Sequence, residues 1–158
     1  MVAELDELLE VEGTTDYCPN GLQVEGGSEV RRVVTAVSAS RELFEIAAAC
    51  DADAIVVHHG ILWNSSEAAR IVGSFRERIR ILLENEISLV AYHLPLDRHM
   101  EFGNAAQLAQ RLGLEELEPF GLHNGAPAGV CGVFQESVNF RELGAAIAEA
   151  CEREPQVF

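Results

Sequence analysis

Residues 54–60 read AIVVHHG, a run of apolar side chains that ends in two histidines and a glycine. An uninterrupted apolar run of this kind is typical of a strand buried on both faces, as strands of parallel sheets are. Adjacent residues of a regular strand point to opposite faces. The two imidazoles can therefore share a site only where the strand begins to turn, and Gly60 permits that turn. The segment predicts a buried strand that carries metal-binding side chains at its carboxyl end.

A second segment repeats this arrangement further along the chain. Residues 87–92 read ISLVAY and predict another buried strand, which His93 follows directly and Asp97 follows after a short loop. Sites in open α/β sheets lie beyond the carboxyl ends of the strands. Neutral imidazole and carboxylate groups are ligands of zinc, iron, manganese or nickel. We therefore predict a divalent-metal site made by His58, His59 and Asp97, with His93 beside it.

Two ions suit this set of ligands better than one. The ring nitrogens of neighbouring histidines are spread apart, and a carboxylate such as Asp97 can bridge two metals, which lie roughly 3.5–4 Å apart in hydrolytic sites. The alternative is structural, because a single histidine at a strand end is more often an ordinary hydrogen-bonded residue. Two strand ends that both carry ligand-type side chains favour the metal site.

The remaining pattern alternates strands with helices and predicts an α/β fold, with a mixed, mostly parallel sheet flanked by helices. Ser40 is the expected N-cap of one helix, and Gly113 the expected end of another. Residues 16–27 and 94–97 are expected to be loops. Helices are predicted at about residues 3–11, 41–50, 67–84, 104–112 and 140–152, and strands at 30–38, 54–57, 87–92 and 129–134.

The charge is strongly negative, with 26 acidic residues, 11 basic residues and a net charge of −15 in 158 residues. Every basic residue is an arginine. Such a chain repels phosphate backbones, so we expect no nucleic-acid partner. Two interpretations of the acidity remain, a salt-adapted, halophile-like surface or a patch for a cationic partner. The acidic residues are scattered rather than clustered, which favours the first.

The location and the alternative chemistries follow from what the sequence lacks. No apolar run approaches the roughly 20 residues of a membrane span, and the acidic N-terminus has no signal-peptide pattern, so we expect a cytoplasmic protein without a membrane partner. The four cysteines are far apart and are expected to be reduced thiols. The chain shows neither a phosphate-binding loop nor the serine-hydrolase motif G-x-S-x-G.

Three segments together resemble a known family. They read DYCPNGLQVEG at 16–26, VHHGILW at 57–63, and YHLPLD at 92–97 followed by GNAAQLA at 103–109. In order and spacing they are similar to the NGG-one-interacting-factor-three-like dinuclear-metal-centre family, whose members are often labelled type 2 GTP cyclohydrolase homologues. The resemblance covers most of residues 1–114.

The resemblance implies a fold of two interleaved lobes and a ring-like homohexamer whose two-metal sites face an interior cavity. It matches His58, His59 and Asp97 to the metal ligands and His93 to a residue beside the site. Family members continue beyond the point where this chain stops, and that part supplies a further histidine and a glutamate. We therefore expect residues 1–158 to be a single α/β domain region, corresponding to the N-terminal two thirds of the two-lobed fold.

Two functions remain open at this stage. The first is a metal-dependent hydrolase acting on a small or nucleotide-like molecule, in which His93 orients a ligand or moves a proton. The second is a non-enzymatic protein that handles metal or serves as a scaffold. A third hypothesis, a fragment that folds incompletely, would be contradicted by cooperative thermal unfolding.

Overall fold

A mixed sheet organises residues 1–95 of the computed structural model, which describes residues 1–64, 70–123 and 125–157. Its strands, in the order β1-β4-β3-β2, are β1 (Gly21–Val24), β2 (Val33–Ser38), β3 (Ala54–His59) and β4 (Ser88–Ala91). β2, β3 and β4 are parallel, and β1 is antiparallel to β4. The expected α/β class with a mostly parallel sheet is confirmed.

The parallel register brings the carboxyl ends of β2, β3 and β4 to the same edge of the sheet. Ser38 pairs with His59 at the end of β2 and β3. The backbone N–H of Tyr92, just after β4, donates to the carbonyl of Val57 at 3.0 Å. The segments that carry His58, His59 and His93 therefore leave the sheet next to each other.

The main core lies between this sheet and helices α2 (Arg41–Ala49) and α3 (Gly73–Glu84). Phe44 and Leu82 from the helices are completely buried, as is Ile55 from β3. The Ser40 hydroxyl accepts a hydrogen bond from the Leu43 N–H at 3.0 Å, so the predicted N-cap of α2 is confirmed. Helix α1 (Val2–Leu8) is joined to the end of β4 by a hydrogen bond, in which the Tyr92 hydroxyl donates to the Asp6 carboxylate at 2.7 Å.

Residues 96–158 form a second compact unit in the described part of the chain. Helix α4 (Leu94–Arg98) leads into it. Helix α5 (Asn104–Arg111) has Leu112 as its C-cap, and Gly113 follows with a φ of +77°, which confirms the predicted glycine stop. Strands β5 (Glu115–His123) and β6 (Ala126–Val133) pair antiparallel. Helix α6 (Phe140–Cys151) begins with a capping box between Asn139 and Glu142.

Four expectations differ from the structure. The stretch expected to be a loop at 16–27 contains β1, residues 94–97 belong to α4, and β5 was not predicted. The helix expected at 67–84 begins at Gly73, and part of the expected range, residues 65–69, lies outside the described residues. Two of the missed elements depend on distant partners, since β1 pairs with β4 and the Leu94 N–H at the start of α4 donates to Asp16.

Among the described residues, no helix is both long and apolar enough to cross a membrane.

Candidate metal centre

Three imidazoles meet at the carboxyl edge of the sheet among the described residues. The ring of His58 lies 4.4 Å from that of His59 and 4.9 Å from that of His93, measured between centroids. The rings of His59 and His93 are 5.6 Å apart. One ring nitrogen from each histidine lies within 4.8 Å of the other two. Nitrogen atoms at these separations can bind a common ion or a pair of ions.

A hydrogen bond of His58 determines which of its nitrogens carries the proton. Its Nδ1 lies 2.9 Å from the carbonyl oxygen of Tyr92. A carbonyl can only accept, so Nδ1 carries the proton, and a neutral ring then has its lone pair at Nε2. This is the usual arrangement of a metal-ligating histidine, whose second nitrogen donates to a carbonyl or carboxylate. The Nδ1 of His59 similarly contacts the Ser38 hydroxyl at 3.0 Å.

The turn after the two histidines is held by Gln23. Its Oε1 accepts the N–H groups of Ile61 at 2.8 Å and Leu62 at 3.2 Å, and its Nε2 donates to the carbonyl of Pro19 at 2.9 Å. A Cβ on Gly60 would lie only 2.2 Å from Gln23 Oε1. A larger residue at this position would displace the Gln23 side chain, whose hydrogen bonds fix the path by which the chain leaves β3.

The buried side chain of Asp16 accepts several hydrogen bonds at and around His93. It accepts from His93 Nδ1 at 2.8 Å, Leu94 N–H at 2.8 Å and Asn20 Nδ2 at 2.9 Å, and also from the Tyr17 N–H. Burial raises the pKa of Asp16, but the hydrogen bonds from His93, Asn20, Leu94 and Tyr17 outweigh it and hold the pKa below its ordinary value. The carboxylate is therefore ionised at neutral pH.

Sequence reasoning did not single out Asp16 or Asn20 as site residues. Both stand in the segment DYCPNGLQVEG, which was used only as a family signature. The available signal was a carboxylate and an amide four residues apart in an otherwise glycine-rich turn region. That spacing by itself does not reveal a contact with His93, which lies 77 positions after Asp16.

A second group of ligand-type side chains shares His93 and contains Asp16 and Cys18. The Cys18 thiol is buried, with 2% of the residue exposed. Burial, followed by the nearby charge of Asp16, raises its pKa to about 11. The thiol is therefore protonated at neutral pH, and since the thiolate is the form that binds metal, the three imidazoles are the better donor set.

Asp97 lies in the second compact unit, on α4. Its Oδ1 accepts a hydrogen bond from Asn104 Nδ2 at 2.7 Å, which orients the carboxylate. A Cβ on Gly103 would lie 2.8 Å from the Asp97 carbonyl oxygen and 2.3 Å from that of His99, so the turn after α4 requires glycine there. The structure thus explains Gly103 and Asn104 of the motif that follows Asp97, while the role of Asp97 as a ligand remains a prediction.

Comparison with known proteins places these features in a family. The family model Duf34/NIF3 (NGG1p interacting factor 3) matches residues 1–157. The chain belongs to this family. The resemblance inferred from the three sequence segments is confirmed.

Curated relatives of the NIF3 family match nearly the whole chain. A protein named GTP cyclohydrolase 1 type 2 homolog from Vibrio cholerae is 48% identical over 156 residues, which are 97% of this chain and 60% of that protein. One of the same name from Pseudomonas aeruginosa is 43% identical over 155 residues, covering 98% and 61% respectively. The chain thus spans about 60% of the length of these relatives.

Solved structures show the same fold. The protein ybgI, described as of unknown function, has a TM-score of 0.86 and 40% identity, covering 98% of this chain and 60% of that one. TTHA1606 from Thermus thermophilus has a TM-score of 0.84 and 35% identity, covering 98% and 61%. Reduced HcgD from Methanocaldococcus jannaschii has a TM-score of 0.74 and 25% identity, covering 94% and 59%.

Proposed function

We propose that this NIF3-family chain binds divalent metal through His58, His59 and Asp97 and takes part in hydrolysis of a small or nucleotide-like molecule. The convergence of three imidazoles at one sheet edge, with ring nitrogens within 4.8 Å, is the observation that carries the proposal. The donor set fits such an ion, because the hydrogen bond to the Tyr92 carbonyl places the proton of a neutral His58 ring on Nδ1 and its lone pair on Nε2. Zinc, iron, manganese and nickel all suit imidazole and carboxylate donors.

A divalent ion held there would act as a Lewis acid and lower the pKa of a bound water to about 7. His58 and His59 would supply imidazole nitrogen donors from one strand end, and Asp97 would supply a carboxylate donor. His93 lies beside the two histidines and has the chemistry to accept or return a proton, or to orient a ligand. The names of the curated relatives support a nucleotide-like substrate for the whole protein.

The same proposal covers the location, the assembly and the surface of the protein. We expect a cytoplasmic protein that assembles into a ring-like homohexamer, does not bind nucleic acid, and has a salt-tolerant acidic surface consistent with its net charge of −15. In this proposal residues 1–158 correspond to the N-terminal two thirds of the two-lobed family fold. Light scattering after size-exclusion chromatography measures the assembly, and a monomer would contradict the ring.

Metal content tests the site directly. Wild-type protein, purified without affinity tags or chelators, is measured by mass spectrometry beside His58→Ala and beside His123→Ala, which removes a histidine outside the three-imidazole group. We expect about two equivalents in the wild type, as in two-metal hydrolytic sites, retention in His123→Ala, and loss in His58→Ala. Equal metal content in the wild type and His58→Ala would contradict the site.

Measurement of turnover distinguishes a hydrolase from a non-enzymatic metal-handling or scaffold protein. The metal-loaded chain is incubated with a panel of phosphoesters, cyclic amides and GTP, and Asp97→Ala is compared with the wild type. We expect the substitution to abolish metal binding and turnover together. Full activity of Asp97→Ala would refute the mechanism, and metal binding without turnover of any compound would assign the protein to metal handling or a scaffold role.

A further inference from the structure

We propose that Asp16 is the positioning residue of His93, holding its imidazole as the Nδ1–H tautomer with the Nε2 lone pair facing His58 and His59. The inference deepens the proposed metal site and rests on it for its functional meaning. The pairing itself rests only on contacts inside the first compact unit.

The first observation is the direct contact between the two side chains. Asp16 Oδ1 lies 2.8 Å from His93 Nδ1, and the side chains are 2% and 14% exposed respectively. An ionised carboxylate only accepts hydrogen bonds, so the shared proton belongs to Nδ1 of the ring. A neutral His93 then has its lone pair at Nε2. The ring centroid lies 4.9 Å from that of His58 and 5.6 Å from that of His59, and one ring nitrogen of each histidine lies within 4.8 Å of the other two. We assign that place to Nε2 of His93 because Asp16 holds Nδ1.

The second observation is that the same carboxylate also fixes the backbone around His93. Its Oδ2 accepts the Leu94 N–H at 2.8 Å and the side-chain amide of Asn20 at 2.9 Å. Asn20 in turn accepts the His93 N–H at 2.8 Å through its Oδ1. The ring, the N–H of His93 and the N–H of the next residue are therefore held by one connected pair of side chains. Such a connection limits rotation of the ring as well as its tautomer.

The third observation links this pair to the double-histidine segment. The Asn64 side chain donates to the carbonyl of Asp16 at 3.2 Å, and the Asn64 N–H donates to the carbonyl of Tyr17 at 2.6 Å. Trp63, which precedes Asn64, has its ring centroid 5.3 Å from that of His93 in an edge-on arrangement. The Asp16 segment thus contacts His93 after β4 and Asn64 in the segment that follows the two histidines of β3, which is the placement a positioning residue needs.

A purely structural role for Asp16, as a cap for the first turn of α4, is the competing explanation. It predicts a loss of stability without a change at the ring nitrogens. Asp53 offers a matched control because its carboxylate also accepts backbone N–H groups, from Arg31 at 2.8 Å and Arg32 at 2.7 Å. Asp53 precedes β3, at the opposite end of that strand from the histidines.

The deciding experiment is nitrogen-15 NMR of the histidine rings in the metal-free full chain, at mildly alkaline pH where imidazoles are neutral. The His93 signal is assigned with His93→Gln. We expect a proton on Nδ1 and none on Nε2 in the wild type and in Asp53→Ala, and a shift of the proton toward Nε2 in Asp16→Ala. A wild-type ring protonated at Nε2, or an unchanged Nδ1–H ring in Asp16→Ala, overturns the proposal. If Asp16→Ala fails to fold, the wild-type tautomer alone decides.

Titration with Co²⁺ separates this inference from the metal site itself. His93 belongs to the three-imidazole group that can hold the ion. Loss of a carboxylate that orients such a histidine typically lowers metal affinity about 10- to 100-fold, and we expect that drop in Asp16→Ala but not in Asp53→Ala. Equal Co²⁺ affinity in the wild type and Asp16→Ala would overturn the positioning role. A wild type that binds no Co²⁺ but shows the expected tautomers would contradict the proposed function and support the Asp16–His93 pairing.

Discussion

Substitution of Gly60 by alanine should destabilise the chain through Gln23 and not through the backbone. The φ angle of Gly60 lies outside the left-handed region, so alanine can adopt the local conformation. The added Cβ would lie 2.2 Å from Gln23 Oε1, and the glutamine side chain must move. Its Oε1 then no longer accepts the N–H groups of Ile61 and Leu62.

The magnitude follows from these two backbone donors. An unsatisfied buried donor costs about 1–3 kcal/mol, and Leu62 is only partly buried, so we expect Gly60→Ala to lower the free energy of unfolding by about 2–4 kcal/mol. In a Gln23→Ala background there is no glutamine side chain for the new Cβ to displace, and its hydrogen bonds to Ile61 and Leu62 are already gone. There the same substitution should cost nothing, or stabilise by about 0.4–1 kcal/mol because it restricts the unfolded chain.

Urea unfolding of the four proteins of this double-mutant cycle measures the coupling. We expect a coupling free energy of about 2–5 kcal/mol, the difference between the two backgrounds, with the same dependence on urea concentration in all four proteins. If Gly60→Ala costs the same with Gln23 present and absent, the effects are additive. The close approach of Gln23 to Gly60 would then not explain why position 60 is glycine.

Three further outcomes follow from other parts of the structure. Hydrogen bonds from the backbone N–H groups of Arg32 and Arg31 lower the pKa of Asp53 below its ordinary value. The ionised carboxylate should therefore contribute fully to the free energy of unfolding above that ordinary value, and the contribution should be lost as the pH falls through the lowered pKa. The difference in unfolding free energy between wild type and Asp53→Asn should therefore shrink on acidification, and a difference that grows would contradict this. Ser40→Ala should lower the free energy of unfolding by about 1 kcal/mol in urea, with metal content unchanged as the control; no loss would argue against the α2 cap. Iodoacetamide at neutral pH should label the exposed Cys131 and Cys151 but not Cys18, whose pKa is raised to about 11, as read by mass spectrometry; labelling in urea is the control, and rapid native labelling of Cys18 would contradict its burial.

Local signals in the sequence determined much of the framework. The apolar run before His58 predicted a buried strand because a strand covered on both faces needs no alternation. Ser40 predicted a helix start and Gly113 a helix stop, since capping depends on residues next to each other in the chain. Placing ligand-type side chains at the ends of two strands required only the rule that parallel strands share a carboxyl edge.

Tertiary structure alone decided the surroundings of these side chains. The hydrogen bond between Asp16 and His93 joins residues 77 positions apart, and that between Gln23 and Ile61 spans 38 positions. Periodicity and propensity carry no information about such pairs. β1 and α4 were missed for the same reason: β1 exists because it pairs with β4, and the first turn of α4 is capped by Asp16 from a distant segment.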